Sequence, residues 1–132
     1  MRFNGLAGVM LDRLQLMASN QTAAVDLMRA VLGPLGYSEW EEPSPERGND
    51  VVFGSDARAP MYRICQARPA EDRIDVPHLW FRVADQAVFD EIVRRVETVM
   101  AAWQSETYAG PDGSRSFSAF LPGFASIVVG DA

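Results

Sequence analysis

The sequence predicts an α+β fold made of two similar halves, each a strand, a helix and then several further strands. Three observations predict it. Apolar residues alternate with polar ones at the start of each half, a helical stretch with a capping residue follows each alternation, and the halves superimpose at a constant offset of 65 residues. At that offset Leu14 meets Leu79, Leu16 meets Phe81, and the candidate caps Asn20 and Asp85 coincide. Leu27, Met28 and Val31 meet Ile92, Val93 and Val96. Val51 to Ser55 meets Ser116 to Phe120, and Met61 to Ile64 meets Ser126 to Val129, with no gap required.

The elements follow in order. Met10 to Ala18 is a strand, because Leu14 and Leu16 alternate with Arg13, Gln15 and Met17. Ser19 or Asn20 caps a helix whose apolar face is Leu27, Met28, Val31 and Leu35, broken by Gly33-Pro34 and Gly36. Tyr37 to Glu41 is a short second strand, and Pro43 to Asn49 is a loop by composition. Val51 to Gly54 and Met61 to Ala67 are two more strands. His78 to Val83 opens the second half, and Asp85 caps a helix with Val88, Phe89, Ile92, Val93, Val96, Val99, Met100 and Trp103 on its apolar face. Thr107-Tyr108 is a short strand, Gly110-Pro111-Asp112-Gly113 a turn, and Ser116 to Leu121 and Ala125 to Val129 the last two strands, parted by Pro122-Gly123. Residues 1–9 are an N-terminal extension, 10–67 the first module, 68–77 a polar linker and 78–130 the second module of one domain spanning 10–132.

Composition narrows the function classes. The 132 residues form one domain, and a hydrophobic fraction of 48% is ample for its core. All 12 basic residues are arginines, scattered through a chain of net charge −6, so the basic stripe a nucleic acid needs is missing. No apolar run is long enough for a membrane span, and the opening run ends at Asp12-Arg13, too early for a secretory signal. Cys65 is the single cysteine, so no disulfide closes within the chain, which fits a reducing, cytoplasmic setting.

Three stretches carry a family resemblance. Met10-Leu11-Asp12-Arg13-Leu14, Ala30-Val31-Leu32-Gly33-Pro34-Leu35-Gly36-Tyr37 and His78-Leu79-Trp80-Phe81-Arg82-Val83 resemble the opening strand, first helix end and fifth strand of the vicinal oxygen chelate superfamily. That superfamily contains glyoxalase I, the extradiol dioxygenases and the bleomycin and fosfomycin resistance proteins. The resemblance covers about residues 10 to 130. It implies two βαβββ modules whose eight strands curl into a mixed, glyoxalase-like cup, usually as a homodimer. It also implies, in metal-bearing members, ligands on the first and last strand of each module.

Those ligand positions fall on Arg13 and His78, on Tyr62 or Arg63, and on Ile127 or Val128. Only His78 is a competent ligand. Arginine carries a permanent charge that repels a cation, and a divalent ion needs three or four donors. The expectation is therefore no metal and no other cofactor; a displaced divalent metal is the alternative. His78, the only histidine, is the candidate acid, base or hydrogen-bond donor, against an idle strand-start histidine after Pro77. Arg13 and Arg63 are candidate clamps for a carboxylate or phosphate, against internal ion pairs with Asp12 or a glutamate. Gln15, Trp80 and Tyr108 complete the expected ligand-binding set, with ordinary packing as the alternative for both aromatics.

The functional expectation is a metal-independent small-molecule binder of the bleomycin-resistance type, its ligand anionic or aromatic, its partner a second copy rather than nucleic acid or membrane. An enzyme of the same fold using His78 (a lyase, isomerase or dioxygenase) and a dimerising module with a filled cup are the alternatives. Fold alone does not choose between them.

Overall fold

Both helices begin where a side chain replaces the missing backbone partner. In the computed structural model, which describes residues 12–44, 48–58, 60–68 and 76–131, Asn20 Oδ1 accepts from the Ala23 amide at 3.1 Å and opens α1 (Gln21–Leu32). Asp85 Oδ1 accepts from the amides of Ala87 and Val88 at 2.8 and 3.4 Å and opens α2 (Gln86–Val99). These caps stand 65 residues apart, as the repeat requires.

Around the helices run eight strands: β1 (Arg13–Ala18), β2 (Ser38–Ser44), β3 (Gly48–Gly54), β4 (Met61–Gln66), β5 (His78–Val83), β6 (Ser105–Ala109), β7 (Arg115–Leu121) and β8 (Ala125–Asp131). They form two four-stranded mixed sheets of order β1-β4-β3-β2 and β5-β8-β7-β6. The outer strand β1 or β5 runs parallel to the last strand of its module, and the other pairings are antiparallel. Two βαβββ modules are thus present, and the two sheets are not closed into one.

One face of each sheet enters a shared core. Leu16, Ile64 and Phe53 from the first sheet join Phe117, Ile127 and Val129 from the second, with Leu27, Met28, Phe89 and Ile92 from the helices. Tyr62 bridges the modules, its ring 5.8 Å from Tyr37 and 6.0 Å from Phe81. Burial pushes the Tyr62 phenol up to about 12. A second bridge is backbone: the Ser19 amide donates to the Gly123 carbonyl at 3.0 Å. Gly123 sits at φ +74°, and a β-carbon there would lie 2.3 Å from the Ser19 hydroxyl, so both conformation and contact demand glycine.

The repeat is exact for β1 and β4 against β5 and β8, and slips by one residue for β2 and β3 against β6 and β7. Arg13 pairs with Met61 and His78 with Ser126, both 65 apart. Ile64 and Val129 are also 65 apart, but their partners Val51 and Phe117 are 66 apart. The gapless superposition is therefore wrong for β3 and β7. It matches Val51, which packs on the core, with Ser116 on the opposite face, since a one-residue slip reverses every side chain. The chain gains a residue between α2 and β6 and loses it in the β7–β8 hairpin.

Three further expectations need correction. The Pro43–Asn49 loop is mostly strand: β2 continues through Pro43 and Ser44, and β3 begins at Gly48. Proline is tolerated because β2 is an edge strand and needs no outward-facing amide. Trp103 is not on the helix; α2 ends at Val99, and Trp103 stands 76% exposed in a 3-10 turn. Fourteen helical residues span about 21 Å, roughly the length of a six-residue strand, so beyond Val99 the helix has no sheet left to cover. The first strand starts at Arg13, with Asp12 outside it; Met10, Leu11 and the 1–9 extension lie outside the described residues, as does most of the linker.

Candidate functional site

Every residue expected to bind ligand lies on the sheet faces turned away from the core; on the first sheet Asp50, Val52 and Cys65 of that face are nonetheless buried, whereas the second carries exposed rings. On the first sheet Arg13, Gln15 and Met17 of β1 lie beside Met61, Arg63 and Cys65 of β4. Next come Val52 and Asp50 of β3, then Trp40 and Glu42 of β2. On the second sheet His78, Trp80 and Arg82 of β5 lie beside Ser126, Val128 and Gly130 of β8. Beyond them are Phe120, Ser118 and Ser116 of β7, then Glu106 and Tyr108 of β6.

This register settles the last-strand positions. Tyr62 and Ile127 point into the core, so the open-face residues are Arg63 and Val128, again 65 apart. The four positions implied by the resemblance are therefore Arg13, Arg63, His78 and Val128. Two cations and a valine do not fit a divalent ion, and one imidazole does not hold it against water. Among the described residues no group of three or more histidine, cysteine or carboxylate side chains is placed to hold a metal.

Arg63 is engaged internally. Its Nε donates to Asp50 Oδ2 at 2.7 Å, and its Nη1 bonds to Glu42 Oε1. Both bonds, that to Asp50 first, raise the guanidinium above its ordinary value. Glu42 also accepts from the Trp40 indole Nε1 at 2.9 Å. That bond first, then Arg63, holds the Glu42 carboxyl below the usual range, and Arg13 contributes through space. Two arginines thus share this face with two carboxylates. The ion-pair alternative describes Arg63.

Asp50 is the main residue that sequence reasoning missed. It is 3% exposed, and its Oδ1 has no hydrogen-bond partner among the described residues. The signal was present in the alternation of Asp50 with Val52, but only the pairing to Arg63 gives it meaning. Trp40 and Glu42 were missed for the same reason: only the pairing of β2 with β3 and of β3 with β4 brings them to Arg63.

The second face is aromatic and lightly bonded. Trp80 is 75% exposed, and Phe120 and Tyr108 are exposed as well. Between these aromatic walls runs a floor of Ser116, Ser118, Ser126, Val128 and Gly130. The Tyr108 hydroxyl donates to Glu106 Oε2 at 2.5 Å, which raises its phenol. His78 and Trp80 share the face, as expected from the period of two. No hydrogen bond or ion pair among the described residues joins His78 to Arg13 or Arg63. Phe81 is turned into the core and Cys65 is buried, so neither offers chemistry here.

Neither a family profile nor a curated protein sequence matches the chain. Solved structures do. A lactoylglutathione lyase from Agrobacterium tumefaciens is 22% identical, with 94% of each chain covered and a TM-score of 0.62. A glyoxalase/bleomycin resistance protein from Albidiferax ferrireducens is 14% identical, covering 93% of this chain and 98% of its own, also at 0.62. An antibiotic-binding protein, TnmS3, from a Streptomyces species is 14% identical over 92% of this chain and 94% of its own, at 0.60. The chain therefore has the glyoxalase-like fold over more than nine-tenths of its length.

Proposed function

We propose that this chain is a small-molecule binding protein of the glyoxalase/bleomycin-resistance type that works without a resident metal, as a homodimer. The observation that supports it most directly is the donor set: Arg13, Arg63, His78 and Val128 stand where the resemblance puts ligands, while Trp80, Tyr108 and Phe120 on the second face stay exposed. An antibiotic-binding protein among the fold neighbours supports this class of role. A second copy laid across the open faces would cover Trp80, Phe120 and Tyr108, whose combined exposure is unusual for a monomer. Among the described residues no helix is long and apolar enough to cross a membrane, and a single cysteine, Cys65, suits the cytoplasm.

A thermal-shift screen with and without divalent metals tests the reading. A ligand at 100 times its Kd adds about 2.7 kcal/mol of stability, which moves the transition by several degrees. Aromatic compounds are expected to do this equally well after chelation. A near-stoichiometric divalent ion, lost on His78→Ala, would overturn the metal-free reading. Light scattering should give twice the chain mass; Trp80→Glu should halve it.

A further inference from the structure

One cavity among the described residues is lined by neither arginine nor histidine. It holds about 540 Å³ at the outer end of the first sheet, lined by Gly36, Ser38, Trp40, Gly54, Asp56 and Met61, with Ser55 and Ala57 at the rim. That volume lies within the range of small-ligand sites. It exists because of one difference between the modules. Gly54 and Phe120 are equivalent at the offset of 66, so the second module fills with a phenyl ring the place the first leaves open.

Gly54 also fixes Trp40. A β-carbon on Gly54 would stand 2.7 Å from the Trp40 ring and 3.5 Å from the Met61 methyl, so the indole lies directly over the glycine. The indole is held from its other end by the bond from Nε1 to Glu42, which Arg63 and Asp50 anchor in turn. An aromatic wall is thus locked before any ligand arrives, the condition that lowers the ordering cost of binding.

The lining has a charge preference. Among the described residues its one ionic side chain is the exposed carboxylate of Asp56, and no cation lines it. An indole attracts cations, the Met61 thioether is apolar and polarizable, and Ser38 and Ser55 accept hydrogen bonds. We propose that the Trp40–Gly54 cavity binds a planar aromatic compound bearing a positive charge, its ring against Trp40 and its cationic group towards Asp56. The proposal rests on the small-molecule reading above and gives it a place and a charge.

Isothermal titration of the full chain with proflavine, a planar cation, and with anilinonaphthalene sulfonate, a planar anion, tests it. Proflavine should bind one per chain and more tightly than the anion. Trp40→Leu should weaken it about tenfold, as loss of one stacking partner does. Asp56→Asn, on an exposed turn and harmless to folding, should weaken it about two- to fivefold. Gly54→Phe, which copies the second module, should abolish it. Proflavine binding unchanged in Trp40→Leu and Asp56→Asn overturns the proposal. So does loss of binding in Trp80→Ala and Phe120→Ala instead, which leaves small-molecule binding standing on the second sheet. If neither dye binds, this cavity assignment falls, and the broader screen still decides whether the chain binds small molecules at all.

Discussion

The two open faces descend from one pattern and have diverged in opposite directions. The first carries a bonded network, Trp40 to Glu42 to Arg63 to Asp50, around a cavity floored by glycine. The second carries exposed rings on a serine floor, with Tyr108 bonded to Glu106 and Ser118. The contrast sits on inner faces that are nearly equivalent: Phe53 and Ala119 are core residues related by 66, as are Val51 and Phe117. Core packing constrains one side of a strand, and the alternate side chains are free to change without disturbing it.

The largest expected effects probe the shared core. Phe53→Ala and Phe117→Ala should each cost about 3–5 kcal/mol in urea denaturation, and both should unfold in a single transition, because the two sheets bury residues in one cluster. Two separated transitions would show modules that fold independently.

Next comes the network that only the first face has. Arg63→Met leaves the Asp50 carboxylate buried without its partner and should cost about 3 kcal/mol; adding Asp50→Leu should recover much of it. The equivalent change on the second face, Val128→Met, should stay within about 1.5 kcal/mol. Equal losses at the two sites would erase the contrast. The caps should be alike: Asn20→Ala and Asp85→Ala each lose about 1 kcal/mol.

The smallest effect is in acid. Bonds from Arg94 and then Arg95 hold the Glu91 carboxyl down at about 2, against an ordinary 4.5. A depressed carboxyl stabilises the fold above its unfolded value and loses that contribution as pH falls from about 4.5 towards 2. Glu91→Gln should therefore flatten the acid limb of the stability curve slightly, in that window only. Glu42, on the first face, is lowered in the same direction, so Glu42→Gln should do likewise.

The fold was largely legible because its signals are local. Asn20 and Asp85 announce the helices, Leu14 and Leu16 the first strand, and His78–Val83 is found with both ends correct. What failed depended on partners. Nothing within Val51–Ser55 says that its counterpart has slipped by a residue, and nothing within Glu39–Pro43 says that its acids meet an arginine from β4. The site was legible only as faces: alternation places Arg13, Gln15, Arg63, His78 and Trp80 on open sides, but the balancing charge of Asp50 and the space over Gly54 exist only once strands are paired.

The sheet margins are guarded unequally. Among the described residues each sheet has two edges, β1 and β2 in one, β5 and β6 in the other. Strand β2 carries Glu39, Glu41, Glu42 and Pro43, and β6 carries Glu106, so a foreign strand meets negative charge or a missing amide there. Strands β1 (Arg-Leu-Gln-Leu-Met-Ala) and β5 (His-Leu-Trp-Phe-Arg-Val) have no acid and no proline. Fibre growth or strand exchange, if this chain is driven to it by heat or crowding, should therefore start at β1 and β5, and an inserted glutamate there is the change that would keep it in solution.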